Sequence, residues 1–437
     1  MPLRDVLVTL VVFGSIPFIL YRPHLGILMW CWLGFMNPHR LAWGFAIQFP
    51  FAQVIAIATL LGWLFSREPK RFPFTRESLV LLLFALWTVV TTAFALVPEG
   101  AWPQADKVWK VLLLVFATMM LMGEKNRLDA LIWLVVLSIG FYGVKGGVFT
   151  LLGGGNYWVF GPSGSFIGGN NEIGMALIMT VPLMRYLQLR SSRRWVKHGL
   201  TAAMVLSTFA VLGTQSRGAL VGSISVVLFL IWKSRKRLIL APAAVLVFVA
   251  AVSFMPQHWF ERMESILHYE EDGSAQGRIN AWWFAFNLAR DRPVLGGGFE
   301  TFTPYLFYVY APDPENTKDA HSIYFEVLGE HGFVGLGIFL LLGLLSWRGC
   351  SQTIKQARDD PEVGYLADLA KMVQVSLVGY ASCGAFLGLA YFDLYYNLIA
   401  IVVISKQLVK ERLYELEEQE DESEETLIDG RRPVLVP

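Results

Sequence analysis

Charge is scarce in this chain. Asp, Glu, Lys and Arg make up 16% of its 437 residues and hydrophobic residues 55%, whereas a soluble globular protein carries roughly 25% charged residues. An ordinary soluble domain is excluded. Cysteine is nearly absent. Cys31, Cys350 and Cys383 each lie in or beside an apolar run, at spacings that fit neither a zinc site nor a disulfide framework. They read as small packing residues. The chain also lacks a Walker loop, a dinucleotide fingerprint and a Ser-His-Asp order. Lys and Arg (36) balance Asp and Glu (35), with no basic arm interleaved with aromatics, so nucleic acid is not expected as a partner.

Long apolar runs are abundant, at roughly 3–21, 25–37, 48–66, 78–97, 106–122, 128–152, 171–189, 197–213, 218–232, 238–255, 322–347, 365–389 and 393–408. A helix needs roughly 20 apolar residues to cross a bilayer, and only helices or closed barrels satisfy their backbone there. These runs are too long and too continuously apolar for barrel strands. The expected fold is an all-α polytopic bundle of about 12 transmembrane helices, with 25–37 short and rich in Trp and Met. No small-residue cleavage site follows the first run before Pro17 and Arg22, so that run reads as retained rather than removed.

Loop charge orients the bundle. Basic clusters at Arg67/Lys70/Arg71/Arg76, Lys125/Arg127, Arg190/Arg193/Arg194/Lys197, Lys233/Arg235/Lys236/Arg237, Arg348/Lys355/Arg358 and Lys406/Lys410/Arg412 fall on one side, taken as cytoplasmic. Residues 98–105, 153–170, 214–217 and 256–321 then face the other side. The first two runs strain this scheme by leaving the N-terminus outside. The domain reading is transmembrane helices 1 to about 10 over 1–255, one large extramembrane insert over 256–321, C-terminal transmembrane helices over 322–408 and an acidic cytoplasmic tail over 409–437. The insert holds Trp259, Trp282, Trp283, Phe284, Phe286, Phe302, Tyr305, Phe307, Tyr308 and Tyr310 among polar residues. That pattern suits amphipathic helices lying in the interface, one of them from Arg278 to Arg290.

His321 closes the insert. It stands at the junction with an apolar segment, in His321-Ser322, nine residues, Gly332, two residues, Gly335. An imidazole there can exchange a proton near neutral pH. Arg217, in Ser216-Arg217-Gly218, is a lone cation on the face that loop charge depletes, at a helix start that favours an anion. Its plain alternative is a snorkelling loop arginine. Arg278, in Gly277-Arg278, and Arg290 can likewise be wet-face charges, and Trp282 and Trp283 offer Arg278 cation–π packing. Lys145 lies inside an apolar run, where an ionisable group is a functional candidate, although it too can snorkel. Asp313, Glu315 and Asp319 fit no metal-ligand spacing, so no metal and no cofactor are expected. His331 follows His321 by about 15 Å of helix rise, so one site is not expected to use both.

The segment from His321 to Gly335 resembles the His-[Asn/Ser/Gln]-nine residues-Gly-x-x-Gly signature of the O-antigen ligase family. Ser216-Arg217-Gly218, Gly277-Arg278 and Pro293-Val294-Leu295-Gly296 resemble the domain shared by O-antigen ligases and polymerases, in matching order over about residues 155–405. The N-terminal part, with Asn37-Pro38-His39-Arg40, looks like a ligase-like subgroup of bacteria with exosortase systems. The resemblance implies a metal-independent membrane glycosyltransferase of the bacterial inner membrane. It would move an oligosaccharide from undecaprenyl pyrophosphate to a lipid A–core sugar on the periplasmic face, in lipopolysaccharide biosynthesis. His321 would be the base, Arg217 and Arg278 would bind the pyrophosphate, and Lys145, Arg290 and Ser322 are further possible donor or acceptor contacts. An O-antigen polymerase and a protein O-oligosaccharyltransferase use the same donor and stand as alternatives. A transporter would need ionisable groups near the midplane, and only Lys145 and Asp393 offer any.

Transfer from an already activated glycosyl pyrophosphate should therefore persist in excess chelator. Loss of activity in EDTA that magnesium or manganese restores would contradict this and promote Asp313 or Asp319.

Overall fold

In a computed structural model, which describes residues 2–68, 70–234, 237–264 and 273–428, the chain is helical with no strand among the described residues. Arg235 and Lys236 of the fourth basic cluster, part of the insert including His268, and the last stretch of the tail lie outside the described residues.

The helices are α1 (Leu3–Tyr21), α2 (His24–Phe35), α3 (Phe51–Phe65), α4 (Arg76–Ala93), α5 (Pro98–Leu121), α6 (Lys125–Leu152), α7 (Asn170–Arg190) and α8 (Arg194–Gly213). They continue with α9 (Arg217–Lys233), α10 (Arg237–Val252), α11 (Gln257–Glu264), α12 (Gly273–Asp291), α13 (Pro304–Tyr310), α14 (Ile323–Ala357), α15 (Gly364–Gly384) and α16 (Asp393–Ile428). Each apolar run has become a helix. Five of these (α1, α4, α6, α8 and α14) are long and apolar enough to cross a membrane, and α2 and α3 are shorter apolar helices. The expected count of about twelve goes beyond that measure. α7 illustrates why: most of it between Ile173 and Leu187 is buried against α6, α8, α9 and α15, with Arg185 exposed, so its environment is mostly protein. α16 runs on past the apolar part into the acidic tail as one helix.

One end of the bundle is belted by ion pairs. Arg127 holds Glu68 at 2.9 Å, Arg190 holds Asp129 at 3.0 Å, Lys406 holds Glu77 at 2.7 Å and Arg412 holds Asp360 at 3.3 Å. Lys125 and Arg190 both lie over the Tyr365 ring, and Lys233 donates to Gln374. The basic clusters of the sequence thus share one end. Pairs exposed to water contribute about 0–1 kcal/mol each, but these are half-buried, and Glu77 is buried outright, so its loss of Lys406 would be costly. α9 carries Lys233 at this end and Arg217 at the other. α14 has Trp347 and Ser351 bonded to Gln374 here and His321 beyond its far end.

The N-terminus also sits at the far end. Asp5 accepts from Ala46 N–H at 3.0 Å and Arg4 donates to Leu41 O at 2.9 Å. The 37–50 segment shares a cavity wall with Gln104, Lys107 and Gly164. α1 therefore runs down and α2 returns, which leaves the N-terminus at the end away from the basic clusters, as the sequence reading had it.

α14 is broken at Gly332, whose φ is 69°. The turn 293–300 fits into the break. Phe333 N–H donates to Pro293 O at 2.9 Å, Gly297 N–H to Gly329 O at 2.8 Å and Gly298 N–H to Glu330 O at 2.8 Å. A Cβ on Gly332 would lie 2.7 Å from Pro293 O, and one on Gly296 2.6 Å from Gly332 N. The glycines of the signature are thus packing requirements. Gly332→Ala should lower stability by about 1–3 kcal/mol from the left-handed backbone alone, with the clash added. Gly337→Ala, on the same helix with open space around it, should be neutral or gain up to about 1 kcal/mol. Thermal unfolding of both variants in detergent checks this, and equal melting points would contradict it.

Candidate functional site

His321 is set by three rungs between α12 and the segment before α14. Gly277 leaves room for Lys318, whose Nζ donates to Gly273 O at 3.3 Å. Asn280 donates to Asp313 O at 2.8 Å and Asn316 O at 3.1 Å, and accepts from Asp313 N–H at 2.9 Å. Trp282 Nε1 donates to Ala320 O at 2.8 Å, and its ring stacks on Phe325 at 5.0 Å. These rungs follow one another along α12, at the positions where the sequence shows Gly277-Arg278 and Trp282. They present His321 in a left-handed backbone conformation, φ 42°. Ser322 caps α14, and its buried Oγ has no hydrogen-bond partner among the described residues.

Arg278 is four residues before Trp282, so both project from one side of α12. Burial first, then the Arg278 charge, holds the His321 pKa below its ordinary 6.5. Lys318 adds to this and Asp319 opposes it. The imidazole is therefore neutral at physiological pH, as a proton acceptor must be.

Arg217 opens α9, whose Ser216 cap accepts from Ala219 N–H at 3.1 Å. α9 and α11 clasp each other here: Arg217 Nε donates to Arg262 O at 3.1 Å, and Arg262 Nε donates to Gln215 O at 2.9 Å. Gln215 has φ 51° and donates to Gly155 O at 3.1 Å. Arg262 lies over the Trp158 ring and Trp259 donates to Leu212 O at 3.2 Å, so α11 packs on the bundle rather than standing away from it.

The short link between α15 and α16 joins the two halves. Phe386 Cβ lies 3.4 Å from where a Cβ on Gly218 would stand, and its ring centroid is 6.5 Å from that of Trp282. Gly388 abuts the His321 backbone, and Ala390 N–H donates to Glu326 at 3.0 Å. One link thus touches the neighbours of Arg217, of Arg278 and of His321. On the other side of Trp282 is an apolar cavity of about 330 Å³ lined by Ile279, Trp282, Trp283, Phe286 and Phe325.

Two family descriptions match the chain. Residues 202–340 match the family described as O-antigen ligase. That stretch is thus similar to the O-antigen ligase family. Residues 3–192 match a family of unknown function (DUF5935). No curated protein matches the chain.

The O-antigen ligase match runs from α8 into α14 and contains Arg217, Arg278, Arg290, His321 and Ser322. Within it, Arg290 is exposed, and Arg292, which the sequence grouped with it, instead donates to Phe94 O at 2.8 Å and ties α12 to the end of α4. Lys145 lies outside it, on the exposed side of α6, while Gly143, Gly146 and Gly147 pack against α8 and the 159 region. The structure does not bring Lys145 to the other candidates.

A buried polar network beneath His321 escaped the sequence reading. Glu330 accepts from Glu300 N–H at 2.8 Å and from the Tyr391 hydroxyl. His331 Nε2 is hydrogen-bonded to the Tyr391 hydroxyl at 2.8 Å, and its Nδ1 to the Thr91 hydroxyl at 2.7 Å. His331 is wholly buried here and stands apart from His321, as expected. The signal was available: Glu326 and Glu330 are two carboxylates one turn apart in an apolar run, and such groups need partners.

The proximity of Arg278 predicts a titration. The acid midpoint of His321, followed as the pH dependence of its acylation by diethyl pyrocarbonate and read by peptide mass spectrometry, should lie below 6.5. It should move upward in Arg278→Gln and stay near the parent in Arg278→Lys, since only the first removes the cation that disfavours imidazolium. An unchanged midpoint in Arg278→Gln would separate the two residues.

Proposed function

We propose that the chain transfers an oligosaccharide from undecaprenyl pyrophosphate to a lipid A–core sugar at the periplasmic face of the bacterial inner membrane. What supports this is the similarity of residues 202–340 to O-antigen ligases, a stretch that holds Arg217, Arg278 and His321, with His321 at the junction where the insert meets α14. An acceptor hydroxyl loses its proton to the imidazole as its oxygen attacks the anomeric carbon. The bond from that carbon to the phosphate oxygen breaks, and the pyrophosphate departs with the electron pair. Arg217 and Arg278 stabilise the departing charge, since a planar guanidinium engages two oxygens at once. The imidazolium then releases its proton to water. A single displacement inverts the anomeric centre, with no metal in the scheme.

The apolar cavity beside Trp282 supports a lipid-linked donor, because a polyprenyl tail needs hydrocarbon close to where its pyrophosphate is held. The unpartnered Ser322 Oγ is a ready contact for a sugar hydroxyl. Growing glycan and protein are the alternative acceptors.

The test is reconstitution with a lipid-linked glycan and, separately, lipid A–core, a second lipid-linked glycan and a peptide. Lipid A–core should gain the sugar, and gain by either other acceptor would reassign the enzyme within its class. His321→Ala should lose at least ~100-fold in transfer. Arg217→Lys and Arg278→Lys should each lose at least ~10-fold, or about 1.4 kcal/mol of transition-state stabilisation. Near-normal transfer by His321→Ala would remove the base from this scheme.

A further inference from the structure

A second cavity, of about 800 Å³, lies in the N-terminal half outside the O-antigen ligase match. α3 packs on α1 and α2, and α5 packs on α2, α4 and α16, so a groove is left between them. Its two ends differ in chemistry. At the end shared with His39, Arg40 and the 164–166 turn are Gln53, Gln104, Lys107 and Lys110. Further in, the walls are Ala56, Ile57 and Leu60 of α3 and Val111, Leu113 and Leu114 of α5. From Ala52 to Leu60 the wall descends about 12 Å at 1.5 Å per residue.

The polar end is built for an anion. Lys110 is paired with Asp106, and Glu300 lies within electrostatic reach of Lys107, but among the described residues no carboxylate is within ion-pair distance of Arg40 or Lys107. Arg40 lies along Gly164, where a Cβ would meet its Nη1 at 3.1 Å. Two buried polar atoms on residues that line the cavity also lack a partner among the described residues. Asp393 is 4% exposed and its Oδ1 has no hydrogen-bond partner among the described residues; nor has the buried Nδ1 of His39. A buried acceptor without a donor costs about 1–3 kcal/mol. A ligand hydroxyl would relieve it.

We propose that this groove binds an anionic membrane lipid whose headgroup carries hydroxyls as well as a phosphate. The phosphate lies between Arg40 and Lys107, a headgroup hydroxyl donates to Asp393, and an acyl chain follows Ala56 and Leu60 inward. Neutral lipids lack the charge, and soluble phosphates lack the chain that the apolar half accommodates. Asp393 begins α16 just after the link that abuts His321, so the lipid would brace the same link from its other side.

The test uses the full chain in nanodiscs or detergent, with bound lipid read by native mass spectrometry under titration. Phosphatidylglycerol is the probe, with phosphatidylcholine and glycerol 1-phosphate for comparison. Phosphatidylglycerol should bind at least tenfold more tightly than phosphatidylcholine, and glycerol 1-phosphate should not displace it at equal concentration. Arg40→Gln with Lys107→Gln, both at exposed positions, should remove the preference. Ala56→Trp, which fills the chain path, should weaken phosphatidylglycerol binding with the cations intact. Arg217→Lys should leave it unchanged, which separates this groove from the donor site and from any failure of the transferase reading. Equal affinity for the two lipids, an undiminished preference in the double variant, or full displacement by glycerol 1-phosphate would each overturn the proposal.

Discussion

A helix that breaks in a nonpolar environment must find other partners for the backbone groups it frees, and the break in α14 is where that requirement organises this molecule. Gly332 interrupts the helix, and the carbonyls of Gly329 and Glu330 and the amide of Phe333 are all taken by the 293–300 turn. That turn is the end of α12. Docking it fixes α12 against α14, and α12 in turn holds Ala320 through Trp282. The position of His321 thus follows from an exchange of main-chain hydrogen bonds two or more helix turns away, at Gly329, Glu330 and Phe333. Removing the glycines would remove the space in which the two backbones approach.

A second constraint acts beneath the same junction. Glu330 and His331 are buried, and each is satisfied: Glu330 by Glu300 N–H and Tyr391, His331 by Thr91 and Tyr391. Tyr391 belongs to the link that passes Gly218, Trp282 and His321, so the network ties that link to α4 and α14. Buried polar groups left half-satisfied are costly, which makes the arrangement nearly all-or-none. Asp393, the first residue after this link, also borders the N-terminal groove.

Much of the site was legible because its chemistry is local. Positive charge depleted from one face isolates Arg217, the end of a polar insert isolates His321, and Gly277-Arg278 opens an aromatic helix. What stayed hidden was pairing between distant segments. Arg290 and Arg292 look alike in sequence, but only Arg292 meets a helix end, at Phe94 O. Lys145 stands out as a charge in an apolar run, yet α6 turns its glycines inward and leaves the lysine outside. Glu326 and Glu330 had the same signal as Lys145 and the opposite fate, because α14 is packed on the side where they lie. The groove had no sequence signature, since its walls come from α2, α3, α5, the 164–166 turn and the start of α16.

The sequence by itself determined the helical class, the places of the helices and the end to which the basic clusters go, because these depend on hydrophobic runs and charge counted along one strand of chain. Tertiary structure alone decided that α14 is broken, that α1 and α2 form a returning pair, and that one link touches Gly218, Trp282 and His321. Those outcomes depend on which backbone meets which. The requirement that every buried polar group find a partner can be met by residues hundreds of positions apart, as Thr91, His331 and Tyr391 are.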